Sequence, residues 1–78
     1  MQPTEIHVPP GPLEPIRLVR WIAGDRSVVH LDQPICELET DKASVELPSP
    51  ASGTLRQIAM ADEEVQVGMV LGVIAAAP

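Results

Sequence analysis

Aromatic side chains are nearly missing from this 78-residue chain: it has no phenylalanine, no tyrosine and a single tryptophan, Trp21. The interior must be built from aliphatic side chains, and valine and isoleucine supply 15 positions against seven leucines. One cysteine, Cys36, excludes an internal disulfide framework. Cations are scarce as well. Five Lys and Arg face eleven Asp and Glu, giving a formal net charge of −6 and a pI near 4.6. That balance argues against a nucleic-acid or anionic-membrane surface. No apolar run is long enough to span a membrane as a helix. The first 15 residues hold no Lys or Arg, so neither a secretory signal nor a transit peptide is visible. His7 and His30 stand far apart with no Cys/His cluster, which leaves no metal-ligand set, and no serine sits in a triad context.

What is abundant is proline, at positions 3, 9, 10, 12, 15, 34, 48, 50 and 78. Proline in a helix interior costs about 3 kcal/mol, so a helical bundle is excluded, and the β-branched excess favours strands. At 8.3 kDa the chain forms one small domain. Proline divides it into windows 16–33, 35–47 and 51–77, with 9–15 reading as an extended loop. The final Ala-Ala-Ala-Pro has linker composition, so the expected organisation is a domain over 1–75 and the start of an Ala/Pro linker at 76–78, the whole being a piece of a longer protein.

Sliding the chain against itself by 36 residues aligns Val19 with Leu55, Ile22 with Ile58, Ala23 with Ala59 and Val29 with Val65. It also aligns Leu31 with Val67, Ile35 with Leu71 and Leu38 with Ile74. The same apolar pattern is written twice, which predicts two similar halves sharing one core about a pseudo-two-fold axis. Local spacing over 54–66 fits a helix, because Leu55, Ile58, Ala59 and Val65 fall near helical periodicity. The matching segment 18–30 contains Gly24, Asp25 and Ser27 followed by Val28-Val29, which reads as turn then strand. Equivalence of the halves therefore predicts strand–turn–strand in both places.

The window from Pro34 to Pro48 folds naturally as a hairpin with Asp41-Lys42 at its tip. Leu38 then faces Val45, Cys36 faces Leu47 and Thr40 faces Ala43 on one side, with Glu39/Ser44 and Glu37/Glu46 on the other. The two glutamates oppose like charges, so that face must be solvated. Asp-Lys lacks the glycine or asparagine that a type I′ turn wants, which points to a type I turn or a wider loop. Lys42 is the only lysine, and its primary amine can be acylated where the four arginines cannot readily be. From composition and hairpin geometry alone, the plainer reading of Lys42 is a solubilising turn residue.

Glu39-Thr40-Asp41-Lys42-Ala43, followed by Val45-Glu46-Leu47-Pro48-Ser49-Pro50 and Gly53, closely resembles the attachment motif of lipoyl domains from the acyltransferase component of 2-oxoacid dehydrogenase complexes. The resemblance runs over roughly residues 5–75. It includes Trp21 lying 21 residues before the lysine, Gln33-Pro34-Ile35, and Val65-Gln66-Val67-Gly68 with Leu71. It implies an all-β fold, a flattened barrel or sandwich of two four-stranded antiparallel sheets with quasi-two-fold symmetry. It implies lipoate in amide linkage on Lys42, with Asp41 and Ala43 as flanking recognition residues. The chemistry would then belong to the cofactor, the domain itself having no catalytic residue. The implied partners are a thiamine-diphosphate-dependent 2-oxoacid dehydrogenase, dihydrolipoamide dehydrogenase, lipoylating enzymes and an acyltransferase core in the same chain. No nucleic acid and no membrane is expected, and the implied setting is bacterial cytoplasm, or the mitochondrial matrix in a eukaryote. The lysine motif looks most like the 2-oxoglutarate, succinyl-transferring branch; pyruvate and branched-chain relatives share most of it.

The chain departs from the family pattern in two places. Gly24-Asp25 comes two residues earlier than the family's Gly-Asp turn, and the proline-rich segment 9–15 replaces a Gly-Glu-Ser loop that helps choose the dehydrogenase. A biotin carrier has the same barrel but places methionine on both sides of its lysine; here the neighbours are Asp41 and Ala43. The glycine-cleavage carrier is longer and lacks the Glu-Thr-Asp-Lys-Ala run. An acidic β-module without a cofactor is the remaining alternative. Elsewhere, Trp21 reads as a core anchor and Cys36 as a small hydrophobe. Glu37, Glu39, Asp41 and Glu46 read as a solvated face that also presents negative charge to partners.

Overall fold

A computed structural model describes residues 3–10 and 15–76 of the chain. Part of the proline-rich loop, 11–14, and residues 77–78 of the expected linker lie outside the described residues. Eight strands follow one another: β1 (Thr4–His7), β2 (Ile16–Trp21), β3 (Val28–Val29), β4 (Pro34–Glu39), β5 (Ser44–Pro48), β6 (Gly53–Gln57), β7 (Glu63–Val65) and β8 (Val70–Ala75). They form two four-stranded antiparallel sheets, ordered β1-β8-β6-β3 and β5-β4-β2-β7. The molecule measures 40 × 19 × 19 Å along its principal axes. Among the described residues there is no helix. The helix-like spacing over 54–66 is instead strand, turn and strand, because Leu55 and Val65 each bury a side chain from a different sheet.

The two-fold repeat extends to the hydrogen bonds. Ile22 and Ala23 both donate their amides to the Ile35 carbonyl; 36 residues on, Ile58 and Ala59 both donate to Leu71. Gln33 donates to His30 as Met69 does to Gln66, and Arg26 donates to Leu55 as Asp62 does to Leu18. Backbone conformation follows the same rule: Arg26 and Asp62 are both left-handed at φ 69°, and Asp32 and Gly68 at 71° and 85°. The rotation that carries β4 onto β8 carries β2 onto β6 and exchanges β3 with β7.

Fourteen aliphatic and small residues form one core between the sheets, with Leu18, Val29, Ile35, Leu55 and Leu71 fully buried. Four of the sequence pairs meet there as expected: Ala23/Ala59, Val29/Val65, Ile35/Leu71 and Leu38/Ile74. Three pairs do not. Ile22/Ile58 and Leu31/Val67 sit on turns and are exposed, so their repetition marks equivalent turns rather than core. Val19 is the extra residue of a bulge in β2, so the ladder passes from Leu18↔Leu38 to Arg20↔Glu37. Leu18, not Val19, is thus the structural counterpart of Leu55, which pairs with Ile74.

Trp21 and Gln57 occupy equivalent positions and make equivalent bonds. The indole N–H donates to the Ala59 carbonyl at 2.9 Å, and the Gln57 amide donates to the Ala23 carbonyl at 3.0 Å. Each half thereby satisfies a carbonyl of the other. The larger indole needs room on β8, and Gly72 supplies it: a Cβ there would stand 3.4 Å from Cη2 of Trp21 and 2.6 Å from the Arg56 carbonyl oxygen. Gly53 is required for a similar reason, since a Cβ would collide with the backbone of Ala75. The turn around the early Gly24-Asp25 is closed by Ser27, whose amide and hydroxyl both donate to Gly24, while the Asp25 carboxylate accepts the Gln57 amide.

Candidate functional site

The hairpin β4–β5 has the register its face pattern requires: Cys36↔Leu47, Glu37↔Glu46, Leu38↔Val45 and Glu39↔Ser44. Cys36 and Leu38 are buried and Leu47 is half-buried, which anchors the ribbon on the core. Burial pushes the Cys36 thiol up to about 11, in keeping with a small hydrophobe. Val45 departs from the expected apolar face, being 53% exposed. It lies on the outermost strand of its sheet, opposite the buried Leu38.

Beyond Glu39 the chain turns within Asp41-Lys42. Neither residue has a positive φ, which excludes the primed turns. Thr40 closes the turn. Its amide donates to the Ala43 carbonyl at 2.8 Å, and its hydroxyl oxygen lies 3.3 Å from the amides of both Lys42 and Ala43. Asp41, Lys42 and Ala43 are all exposed. The sole primary amine among the side chains therefore stands at the outer end of a ribbon whose base is fixed in the core.

Beside the tip lies an open hollow lined by Pro15, Ile16, Arg17, Glu39, Thr40, Asp41, Asp62 and Glu64. Arg17 bonds Glu39 at 2.8 Å across the β2–β4 pair and lies 3.6 Å from Asp62 in the β6–β7 turn. The hydrogen bond that Arg17 donates to Glu39, then the charge of that carboxylate, raise the guanidinium pKa. Two rungs inward, beyond the Leu18↔Leu38 pair, Arg20 bonds Glu37 at 2.8 Å. The acids of the hairpin thus divide in a way the sequence reading did not anticipate. Glu37 and Glu39 are half-buried and paired with arginines, whereas no salt bridge among the described residues reaches Asp41 or Glu46. Arg20 also offsets the repulsion expected between Glu37 and the opposing Glu46.

Sequence reasoning placed Asp41 and Lys42 at the tip with Ala43 facing Thr40, and the structure has that arrangement. It missed Thr40 as the turn-closing group and Arg17 as the link to the β6–β7 turn. The signal for Thr40 was present, since a threonine next to an Asp-containing turn can bond the amides two and three residues on. Nothing comparable existed for Arg17, because the β2–β4 and β2–β7 neighbours are non-local.

Residues 5–74 match the model of the biotin/lipoyl family, described as "Biotin-requiring enzyme". Among curated proteins the chain is 39% identical over 58 residues to the dihydrolipoyllysine-residue acetyltransferase component of the pyruvate dehydrogenase complex of Corynebacterium glutamicum. It is 41% identical over 58 residues to the dihydrolipoyllysine-residue succinyltransferase component of the 2-oxoglutarate dehydrogenase complex of Bartonella vinsonii subsp. berkhoffii. The mitochondrial succinyltransferase component of Homo sapiens is 43% identical over 44 residues. These matches cover 73%, 73% and 56% of the chain but only 9%, 14% and 10% of the three relatives.

Proposed function

The chain belongs to the biotin/lipoyl attachment family, and on that footing we propose that it is a swinging-arm carrier whose Lys42 takes lipoic acid in amide linkage. One observation carries the reading: the chain's only lysine stands exposed at the tip of a core-anchored hairpin, between Asp41 and Ala43. The residues present fit the group, because the amine is accessible and its neighbours are short. They fit biotin less well, since neither neighbour is methionine.

When bound, the lipoyl group supplies a redox-active disulfide that accepts an acyl unit and hands it on. The protein's own residues do the positioning. Cys36, Leu38 and Leu47 hold the ribbon to the core, Thr40 closes its end, and Asp41 and Ala43 flank the amine for recognition. Once Lys42 is acylated, the side chains of the domain hold the arm and take no part in acyl transfer, so the domain acts as a carrier and the acyltransferase activity belongs to the core. The partners are a thiamine-diphosphate 2-oxoacid dehydrogenase, dihydrolipoamide dehydrogenase, lipoylating enzymes and an acyltransferase core in cis. Tethering turns these encounters into intramolecular visits, and a linker beginning at 76–78 suits that task. The corresponding setting is the bacterial cytoplasm or the mitochondrial matrix.

The finer assignment, to the 2-oxoglutarate complex and succinyl transfer, rests on the residues around the lysine. The similar relatives include components of both the pyruvate and the 2-oxoglutarate complexes. It is tested by offering the lipoylated domain to 2-oxoglutarate, pyruvate and branched-chain dehydrogenases. A larger kcat/KM with the 2-oxoglutarate enzyme is expected; faster acylation by another enzyme overturns the branch and leaves the carrier reading standing.

The carrier reading itself is tested by intact mass. Wild type incubated with a lipoylating ligase, lipoate and ATP is expected to gain one lipoyl group, and Lys42→Arg none. A parallel incubation with a biotinylating ligase and biotin is expected to leave the mass unchanged. Biotin uptake without lipoyl uptake, or a lipoyl group on Lys42→Arg, contradicts the assignment.

A further inference from the structure

The tip of the hairpin poses a geometric problem. A two-residue connection favours a primed turn, whose twist matches that of the strands, yet Asp41 and Lys42 both have negative φ. An ordinary turn at this place splays the strands. In this chain both amides converge on one atom, the Thr40 hydroxyl oxygen, at 3.3 Å each, and the same hydroxyl lies 3.3 Å from the Ala43 carbonyl. The two amide bonds are long and individually weak. Together they tie Thr40 to the backbone of the lysine itself and of the residue after it. Asp41 makes no hydrogen bond or ion pair among the described residues that would take over this task.

We propose that Thr40 is the positioning residue for acylation of Lys42, its hydroxyl fixing the direction in which the lysine leaves the ribbon. The inference rests on the reading of Lys42 as the attachment site. In that reaction the amine attacks an activated carboxyl carbon. An amide bond forms, the bond to the activating group breaks, and the leaving group and the amine's proton depart. Thr40 touches none of the reacting atoms. It acts through the Lys42 backbone, because a long flexible side chain can be delivered to a fixed point only if its Cα is held.

Three properties separate this role from a merely structural one. The hairpin is anchored by Cys36, Leu38 and Leu47, all inward of Thr40, so losing the hydroxyl leaves the fold in place. Serine keeps the hydroxyl and valine keeps the shape. The amides affected are those of Lys42 and Ala43, not those of Val45 and Leu47.

The experiment measures the kcat/KM of lipoylation, by intact mass, for wild type, Thr40→Val and Thr40→Ser, with the thermal midpoint and amide exchange of each. Misplacement of a reacting group costs about tenfold to a hundredfold. Thr40→Val is expected to fall in that range with an unchanged midpoint, and with faster exchange at Lys42 and Ala43 only. Thr40→Ser is expected to stay within about threefold of wild type, since the acceptor oxygen is retained. Wild-type kcat/KM in Thr40→Val, or a Thr40→Ser variant as poor as Thr40→Val, overturns the proposal. If Thr40→Val fails to fold, Thr40→Ser decides: rates within threefold support the hydroxyl, and a larger loss overturns it. Should wild type itself take no lipoyl group, the attachment reading fails first and the positioning role with it.

Discussion

The lysine-bearing hairpin and the pairing of β1 with β8 are the same structure used in two ways. Both are outer pairs of a four-stranded sheet, related by the rotation that carries β4 onto β8. In one, Thr40 to Ala43 join the strands and the amine stands at the join. In the other, Thr4 pairs with Ile74 and the strands belong to opposite ends of the chain. The difference continues along the neighbouring strand. Outward-facing positions near the lysine carry ion pairs, Arg17 with Glu39 and Arg20 with Glu37, whereas the matching positions pair Thr54 with Ala75 and Arg56 with Val73. The frame is repeated and the chemistry is not. A duplicated core supports the tip, while the residues that define it occur once.

The comparison breaks first if the two halves do not share one core. Leu18 and Leu55 are both fully buried at equivalent places. Leu18→Ala and Leu55→Ala are each expected to cost about 2–5 kcal/mol in urea unfolding, with a single transition for both. Two transitions, or a loss confined to one variant, would show independent halves.

A smaller effect distinguishes Cys36 from its counterpart Gly72. The folded-state pKa of the thiol is raised from 9.0 to about 11 by burial. The stability it contributes is therefore complete below pH 9 and lost as pH rises through 11. The urea midpoint is expected to fall across that window by the equivalent of roughly 2–3 kcal/mol, and the fall attributable to the thiol is expected to vanish in Cys36→Ala. An unchanged alkaline slope in Cys36→Ala means that other groups cause it.

The smallest effect sharpens the electrostatic contrast. Arg17→Leu is expected to cost less than about 1 kcal/mol, diminishing at high salt, because nearly half of each partner's side chain is open to solvent. Arg56→Leu, in the half without the ladder, is expected to show no salt-dependent loss. Equal salt dependence in the two variants removes the distinction between the sheets.

Much of this was legible in the residues because side-chain period and register are coupled in a hairpin. A one-residue slip would have exposed Cys36 and Leu38, so the pairing of 36–39 with 44–47 could be read without a structure. The repeat resolved the ambiguity over 54–66, where local periodicity alone favoured a helix. The bulge at Val19 was not legible, because it depends on which strand lies beside β2. The same non-locality hid the Arg17 contacts to Glu39 and Asp62. Ile22, Leu31, Ile58 and Val67 were misplaced in the core because a repeated apolar residue marks an equivalent position, not a buried one.

The central claim is that the hairpin makes the position of the amine, rather than its mere presence among Asp and Ala neighbours, the feature that is recognised. It is tested most directly by the double variant Asp41→Lys, Lys42→Asp, which keeps the composition and moves the amine by one residue. Circular dichroism is expected to show the wild-type fold, and intact mass after incubation with the lipoylating ligase is expected to show no lipoyl group. A folded double variant lipoylated at the wild-type rate would contradict the claim.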